Sequence, residues 1–483
     1  VTVSVLYWKD GRRPEPSKMS AEAIDVDAAV RAEALIKRRH GKFLLKQLSF
    51  TQQFSHLYYG RLSRLAPRVR AAVDGAVGAA EVKRLGGVSR ILELTVGKRA
   101  VIVGTLFKQL ASVTPFLREY TKELVKLVEG GGDEDDEDDG EGAADDDDAV
   151  AADDDAVAAS GSAGVLVSES DALVIEDDSG RVDVTGLPPS GLVTGVVVAL
   201  VGTLQDKGKF LVEQCITPHP ALPPLRKVAA AKPEPCYVAF VSGLCVSAAG
   251  EVTSAVELLT DYLSGHLPDE RMCAQAARVA RLVVGGNIIE TTDEARLKHK
   301  IRLEPSDHVK PSTDPSANTS ANAMRKADAI LAHLAATVDI DVMPGDTDPT
   351  NCFLPQQPLH PMLLPRTARQ SSVKLVTNPY EATVTAADSG AAVAPEANIV
   401  VSAGQCVEDV KRQSDLSLLG TMEALMRWSL LAPTAPNTLP CYPFRDMDPF
   451  VFDVMPHAFV SCNHERADIL KLEAEACLNK VQK

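Results

Sequence analysis

The sequence has no run of about 18 apolar residues, so it predicts no transmembrane helix. Its nine cysteines form no C-x-x-C pair, and their number is odd. This usage argues against a zinc ribbon or a disulfide scaffold and is typical of a reducing compartment. The first residues contain no apolar signal region, so nothing in them indicates secretion. What the chain does have is length: 483 residues, 45% of them hydrophobic, predict two or three domains.

Basic residues are absent from one long acidic stretch, residues 129–155, which contains 16 Asp and Glu side chains. Without these 16, 50 of the 66 acids remain against 50 Lys and Arg. The rest of the chain is therefore close to neutral, unlike a strongly basic nucleic-acid-binding protein. Mutual repulsion and the scarcity of apolar side chains predict a disordered insertion over residues 129–164. Its role stays open between a solvated loop, a DNA mimic and a site for basic proteins.

The first 40 residues are mixed and charged, and we interpret residues 1–40 as a flexible N-terminal arm. Helical periodicity then begins at Ser49, and Pro67 is predicted to end the helix. Four arginines crowd the polar side of this helix: Arg61, Arg64, Arg68 and Arg70. They could form a nucleic-acid patch, but a solvated helix face is the favoured interpretation.

Short β-rich segments separated by turns follow the helix and indicate a small barrel such as an OB-fold over residues 41–217. The segments are residues 91–94, 99–106, 171–175, 181–184, 192–200 and 209–215. OB-folds commonly bind single strands by stacking bases on aromatic side chains. Here the strands carry only Phe107 and Phe210, which favours a barrel that binds protein.

A proline-rich segment at residues 218–235 is the predicted linker to a second domain, residues 236–483. Strand patterns alternate there with helical ones, which predicts an α/β layered sheet. The predicted strands are residues 236–241, 278–284, 338–342, 373–377, 398–402 and 458–461. One helix is predicted near residues 253–263, and another immediately before residue 338.

The most informative stretch is residues 338–361, VDIDVMPGDTDPTNCFLPQQPLHP. Alternating apolar and acidic residues predict a strand, which a proline and a glycine then end in a loop. Asp346 would lie just past the carboxyl end of that strand, where open α/β sheets hold ligands. It is a candidate metal ligand. The favoured interpretation is that Asp346 and Asp348 make Asx-type turns before Pro349.

Several longer motifs resemble one protein family. They are FTQQFSHLY at residues 50–58, VIVGTLFK at 101–108, LVTG at 192–195, VSGL at 241–244, DVMPG at 341–345, PQQPLHP at 355–361, LVTNPY at 375–380 and PTAPNTL at 433–439. Through them, residues 48–464, apart from the acidic insertion, closely resemble the small (second, or B) subunits of eukaryotic DNA polymerase delta.

The resemblance implies a multidomain α+β protein, in which an OB-fold β-barrel precedes an inactive calcineurin-like phosphoesterase α/β sandwich. It also implies a non-catalytic scaffold that acts in DNA replication and repair in the nucleus. The implied partners are the C-terminal cysteine-rich domain of the catalytic subunit and a third accessory subunit. The sliding clamp and DNA would be reached indirectly, and no cofactor or membrane is implied.

Active calcineurin-like enzymes hold two metal ions with D-x-H, G-D-x-x-D, G-N-H-D/E and G-H-x-H motifs at strand ends. The corresponding positions here lack most of these ligands: Ser242, Leu244, Asn287, Asp346, Asn378, Asn463 and His464. One acid and one histidine cannot hold a dinuclear centre, so these residues are predicted to be remnants without metal or catalysis. The alternative is an active metal-dependent phosphoesterase with a degenerate site.

Overall fold

The computed structural model describes residues 2–6, 31–46, 48–49, 51–111, 166–168, 170–218, 221, 223, 236–247, 252–290, 315–386 and 396–472. The acidic tract and most of the proline-rich segment at 218–235 lie outside these residues. The disordered insertion and the linker therefore stay predictions.

The described strands are, in chain order, β1 (Thr2–Leu6), β2 (Ala34–Arg38), β3 (Arg99–Gln109), β4 (Ala172–Glu176), β5 (Arg181–Thr185), β6 (Val197–Leu204), β7 (Lys209–Ile216), β8 (Tyr237–Ser242), β9 (Val279–Gly285), β10 (Asp339–Met343), β11 (Val373–Leu375), β12 (Tyr380–Ala386), β13 (Glu396–Ser402) and β14 (Ala458–Ser461). The described α-helices are α1 (Ser55–Val73), α2 (Ala79–Arg84), α3 (Ser254–Ser264), α4 (Glu270–Ala277), α5 (Pro315–Ala335), α6 (Gln405–Arg412) and α7 (Leu418–Arg427). No described helix combines the length and apolar character needed to cross a membrane.

A closed barrel in the order β3-β4-β5-β7-β6 forms the first unit. The long strand β3 pairs antiparallel with both β4 and β6. Where these pairings overlap, a Cβ on Gly104 would lie 2.4 Å from the carbonyl oxygen of Glu176, so only glycine allows the close approach. Parallel pairing of β5 with β7 closes the barrel. The unit is thus the small barrel that the spacing of short strands predicted.

Two of the predicted barrel strands differ in the structure. Residues Ile91–Glu93 form a 3-10 helix, with Ile91 buried and its amide donating to the Asp177 carboxylate. Strand β6 begins at Val197 because the preceding residues form a turn, in which Gly195 has a φ of 90°. Both segments were predicted as strands because they are rich in residues that favour strands, and such short patterns do not show whether the backbone pairs.

Helix α1 packs on the barrel and continues past Pro67, where the sequence predicted its end. Its buried face includes Leu57, Leu65, Val69 and Val73, all with no exposed surface. Packing of this face outweighs the backbone hydrogen bond that a proline removes from a helix interior.

The second unit is a sandwich of two sheets, with strand orders β1-β8-β9-β10-β11 and β14-β13-β12-β2. Strands β8 to β11 run parallel, and helix α5 leads into β10, as the alternation of helix and strand patterns predicted. The core between the sheets includes Phe240, Val283, Met343, Tyr380 and Ile399. Helices α3 and α5 cover the other face of the first sheet.

The N-terminal segment supplies two strands of this sandwich, where the sequence predicted a flexible arm over residues 1–40. Strand β1 pairs antiparallel with β8, and β2 pairs antiparallel with β12. Arg38 of β2 donates to the buried Asp341 carboxylate at 2.8 Å. Arg281 and the Tyr380 hydroxyl donate to the same carboxylate at 3.0 and 2.9 Å. A buried carboxylate needs such partners, so β2 is held by charge as well as by strand pairing.

Candidate functional site

The carboxyl ends of the parallel strands lie side by side, and the loops that follow them are in close contact. Strands β8, β9 and β10 end at Ser242, Gly285 and Met343. A Cβ on Gly345 would lie 2.4 Å from both the backbone nitrogen and the side-chain oxygen of Asn287. Only glycine fits this approach, so the loops after β9 and β10 pack directly against each other.

Asn463 joins the ends of the two sheets. Its backbone N–H donates to Ser242 Oγ at 3.0 Å. Its Nδ2 donates to the carbonyl oxygens of Gly285 at 2.9 Å and Ala403 at 2.8 Å. The residue has a φ of 62°, a left-handed conformation that asparagine tolerates better than most side chains. One asparagine thus connects the strand ends of both sheets.

Asn378 extends this connection to the PQQP segment. Its Nδ2 donates to Oε1 of Gln356 at 2.7 Å and of Gln405 at 2.9 Å, while its Oδ1 accepts from the Ala403 amide at 3.0 Å. Gln356 Nε2 in turn donates to the Gly345 carbonyl oxygen at 3.0 Å. Side-chain amides donate and accept together, so they can join these loops without a charged group. We call Ser242, Gln356, Asn378, Gln405 and Asn463 the strand-end network.

The carboxylate that fastens the loops is Asp348, whereas Asp346 is exposed. Asp348 accepts from the backbone N–H groups of Ile288 at 2.8 Å, Ile289 at 3.3 Å and Gly345 at 2.8 Å. Burial raises the pKa of Asp348 to about 6, and the donating amides oppose that rise. Asp348 therefore has the turn-forming role that was predicted for it, and its bonds also reach the loop after β9.

The other sequence-predicted positions lie beside the strand-end network or apart from it. Leu244 is 2% exposed and packs in an apolar core. His464 contacts Ser461 Oγ through Nε2 at 2.7 Å and Glu408 Oε1 through Nδ1 at 3.0 Å. Of the seven predicted residues, Ser242, Asn378 and Asn463 belong to the strand-end network. Asn287 and Asp346 lie on adjoining loops. The side chains of Leu244 and His464 make their contacts outside the network.

Sequence reasoning missed Gln356 and Gln405 as members of the site. The pair of glutamines between prolines in PQQP was the available signal, since such a segment presents side chains from a fixed backbone. Within the described part of the chain, no group of three or more His, Cys, Asp or Glu side chains could hold a metal ion.

A second set of buried polar contacts lies where the barrel meets the sandwich. Arg61 of α1 is fully buried, with its Nε 2.8 Å from Asp448 Oδ2. Its two terminal nitrogens donate to carbonyl oxygens of the second unit and of the barrel: Gly195, Ala432, Pro433 and Ala435. Arg64 and Arg68 pair with Asp453. These three arginines bind the second unit, so they form neither a nucleic-acid patch nor a solvated helix face.

Lys108 makes a similar contact from strand β3. Its Nζ donates to the Gln413 carbonyl oxygen at 2.7 Å and lies 3.3 Å from Asp171 Oδ2, with both side chains fully buried. Burial lowers the pKa of Lys108, and its bond to Asp171 opposes that shift. The apolar core is also continuous across the junction, since Val196 and Leu200 of the barrel cluster with Leu430 of the second unit. The barrel and sandwich are therefore fused through one core with buried cations.

Comparison with known proteins defines the class of this chain. Residues 53–215 match the family model of the OB-fold domain of DNA polymerase delta subunits. Residues 238–469 match the family model of the B subunits of DNA polymerases alpha and epsilon. The chain is thus similar to the B subunits of DNA polymerases.

Its relatives specify the family within that class. The chain is 31% identical to the DNA polymerase delta small subunit of Arabidopsis thaliana over 435 residues, 88% of this chain and 83% of the relative. It is 30% identical to the protein of that name from Oryza sativa, with 87% and 85% covered. Drosophila melanogaster DNA polymerase delta subunit 2 is 28% identical, with 88% and 85% covered. The chain therefore belongs to the DNA polymerase delta small subunit family, which confirms the resemblance drawn from its motifs.

Proposed function

We propose that this chain is a non-catalytic accessory subunit of DNA polymerase delta, acting as a scaffold in DNA replication and repair in the nucleus. Its second unit is a calcineurin-like phosphoesterase fold that has lost its catalytic site. It binds the C-terminal cysteine-rich domain of the catalytic subunit and a third accessory subunit, and it reaches the sliding clamp and DNA through them. Family membership supports the role in the polymerase.

The strand-end network is the observation that carries the loss of catalysis. Hydrolysis by two metal ions needs several carboxylates and imidazoles at close range on these strand ends. Here neutral amides occupy that region, and Asn378 and Asn463 bond to glutamines and to backbone groups. Asp348 directs its oxygens to three backbone amides. Such a network rigidifies the loops and offers few anionic ligands.

The junction between the units supports the scaffold role. A scaffold must hold its binding surfaces at fixed positions, and a small polar interface between domains would allow them to move. Arg61 and Lys108 instead bind the opposite side from within a continuous core. A partner can therefore contact both units as one surface.

Co-expression with the catalytic subunit of the same organism tests the proposal. We expect a stoichiometric complex, its loss when the C-terminal cysteine-rich domain is deleted, and a ternary complex when the third subunit is added. Recovery of this chain alone would refute the scaffold role. Metal analysis and an assay of bis-p-nitrophenyl phosphate hydrolysis with added manganese test the proposed loss of catalysis. Two bound metal ions with turnover would favour the alternative, an active phosphoesterase with a degenerate site.

A further inference from the structure

A serine, a histidine and a glutamate form a chain of hydrogen bonds beside helix α6. Ser461 ends strand β14, His464 lies in the turn that follows, and Glu408 lies in the first turn of α6. Ser461 Oγ is 2.7 Å from His464 Nε2, and His464 Nδ1 is 3.0 Å from Glu408 Oε1. This is the connectivity of a nucleophile, its base and a group that orients the base.

The placement of Ser461 follows from the alternation of side chains along β14. Ala458 and Val460 pack into the core between the two sheets, whereas Phe459 packs into the core shared with α6. Since side chains alternate along a strand, Ser461 lies on the face of Phe459, toward α6. Ser461 is half-buried, the His464 side chain is 6% exposed and that of Glu408 is 44% exposed. The imidazole of His464 is thus shielded from bulk water, and the serine residue is only partly buried.

The chemistry of the three groups fixes the positions of their protons. The bond from His464 lowers the pKa of Glu408, so this carboxylate is ionised at neutral pH and can only accept. Nδ1 of His464 therefore carries the proton of that bond. In the neutral imidazole Nε2 then has a free electron pair, which accepts the hydroxyl proton of Ser461.

We propose that these residues hydrolyse small acyl esters, with Ser461 as nucleophile, His464 as general base and Glu408 as the positioning residue. Ser461 Oγ attacks the ester carbonyl carbon, and its proton passes through His464 Nε2 to the departing alkoxide. The alcohol leaves and an acyl-serine remains. Water then attacks the acyl carbon, again through His464, and the acid leaves as Ser461 regains its proton. One ester and one water give one acid and one alcohol. The subunit would thus lack polymerase and phosphoesterase catalysis but carry this metal-independent hydrolysis in addition to the proposed scaffold function.

The test treats the full chain with a biotinylated fluorophosphonate and, separately, with p-nitrophenyl acetate. We expect covalent labelling at Ser461, located by peptide mass spectrometry, and its complete loss in Ser461→Ala. His464→Gln should slow esterolysis by about 10²-fold or more, the usual contribution of a general base. Glu408→Gln should slow it less and shift the midpoint of the pH–rate profile downward, because the imidazolium loses its carboxylate. A purely structural role for Glu408 would not move that midpoint.

Ser372→Ala is the matched control, since this half-buried serine donates to the Ala335 carbonyl oxygen and lies in the turn before β11, away from β14. It should keep full labelling. Thermal melting of each variant separates lost chemistry from lost folding. A folded native chain in which Ser461 stays unlabelled would overturn the proposal, as would equal esterolysis by native chain and Ser461→Ala.

Discussion

Replacing Arg61 by methionine should lower the free energy of unfolding by about 3–5 kcal/mol, the range observed when one partner of a buried ion pair is removed. Methionine keeps the length and apolar stem of the side chain, so little volume is lost. Asp448, which has no exposed side-chain surface, would be left as an uncompensated buried charge. The four carbonyl oxygens that Arg61 joins would also lose their donor.

A count of the lost hydrogen bonds gives a similar magnitude for this loss. Four hydrogen bonds at a net contribution of about 0.5–1.5 kcal/mol each sum to roughly 2–6 kcal/mol. The buried-pair range overlaps with this sum because both describe the same guanidinium. For a cooperative unit of 150–250 residues each kcal/mol changes the melting temperature by about 2–4 °C. We therefore expect a decrease of roughly 6–20 °C.

Urea unfolding followed by circular dichroism measures the effect against a matched arginine. Arg99→Met removes an exposed pair, in which Arg99 Nε is 2.7 Å from Glu213 Oε2, and should cost less than about 1 kcal/mol. In Arg61→Met/Asp448→Asn the buried charge is absent, so part of the loss should be recovered. If the losses in free energy of unfolding of Arg61→Met and Arg99→Met differed by less than 1 kcal/mol, the stability of the junction would not depend on the Arg61 guanidinium.

Three further perturbations test the strand ends and the acidic tract. The pKa of Asp348 rises from 3.8 to about 6 on folding, so its stabilising contribution is complete below pH 4 and lost as pH rises to 6. The stability of native chain relative to Asp348→Asn should therefore fall between pH 4 and 6 in urea titrations, and a constant difference would contradict this. Asn463→Ala should lower the free energy of unfolding by about 1–3 kcal/mol through its two Nδ2 bonds, and a change below 0.5 kcal/mol would show that the sheets do not depend on them. Deleting residues 129–155 should leave the melting temperature and the binding of the other subunits unchanged, because 16 acids without one base cannot pack; a large drop in melting temperature would refute this.

The sequence predicted best the elements whose signals are local. A continuous apolar run identified β8, alternating apolar and acidic residues identified β10, and the helical period before residue 338 identified α5. Strands β1 and β2 escaped prediction because their partners lie hundreds of residues away and their own patterns are short. The role of Arg61 escaped for a related reason: a helical pattern gives its side of the helix but not the carbonyl oxygens that a distant loop brings there.

The sequence could predict where the candidate site residues lie, but not which of their side chains contact each other. The family resemblance assigned the seven positions to predicted strand ends. Which of them would meet depends on loop conformation, and that is set by contacts such as Gly345 against Asn287. Gln356 lies in the PQQP segment, which was an available signal, but the amide of Gln405 carries no chemical signature that distinguishes it from surface residues.

The pairing of β2 determines when this segment of the chain can fold during synthesis. Ala34 pairs with Ala386, 352 positions later, and Thr2 pairs with Ser242, 240 positions later. At about 5–20 residues per second a ribosome needs roughly 18–70 s to make the partner of β2. All five barrel strands, by contrast, lie between Arg99 and Ile216 and emerge well before that partner. The apolar residues of β2 must remain unpaired throughout this interval, so chaperones that bind the nascent chain should protect residues 34–38 until residue 386 has been made.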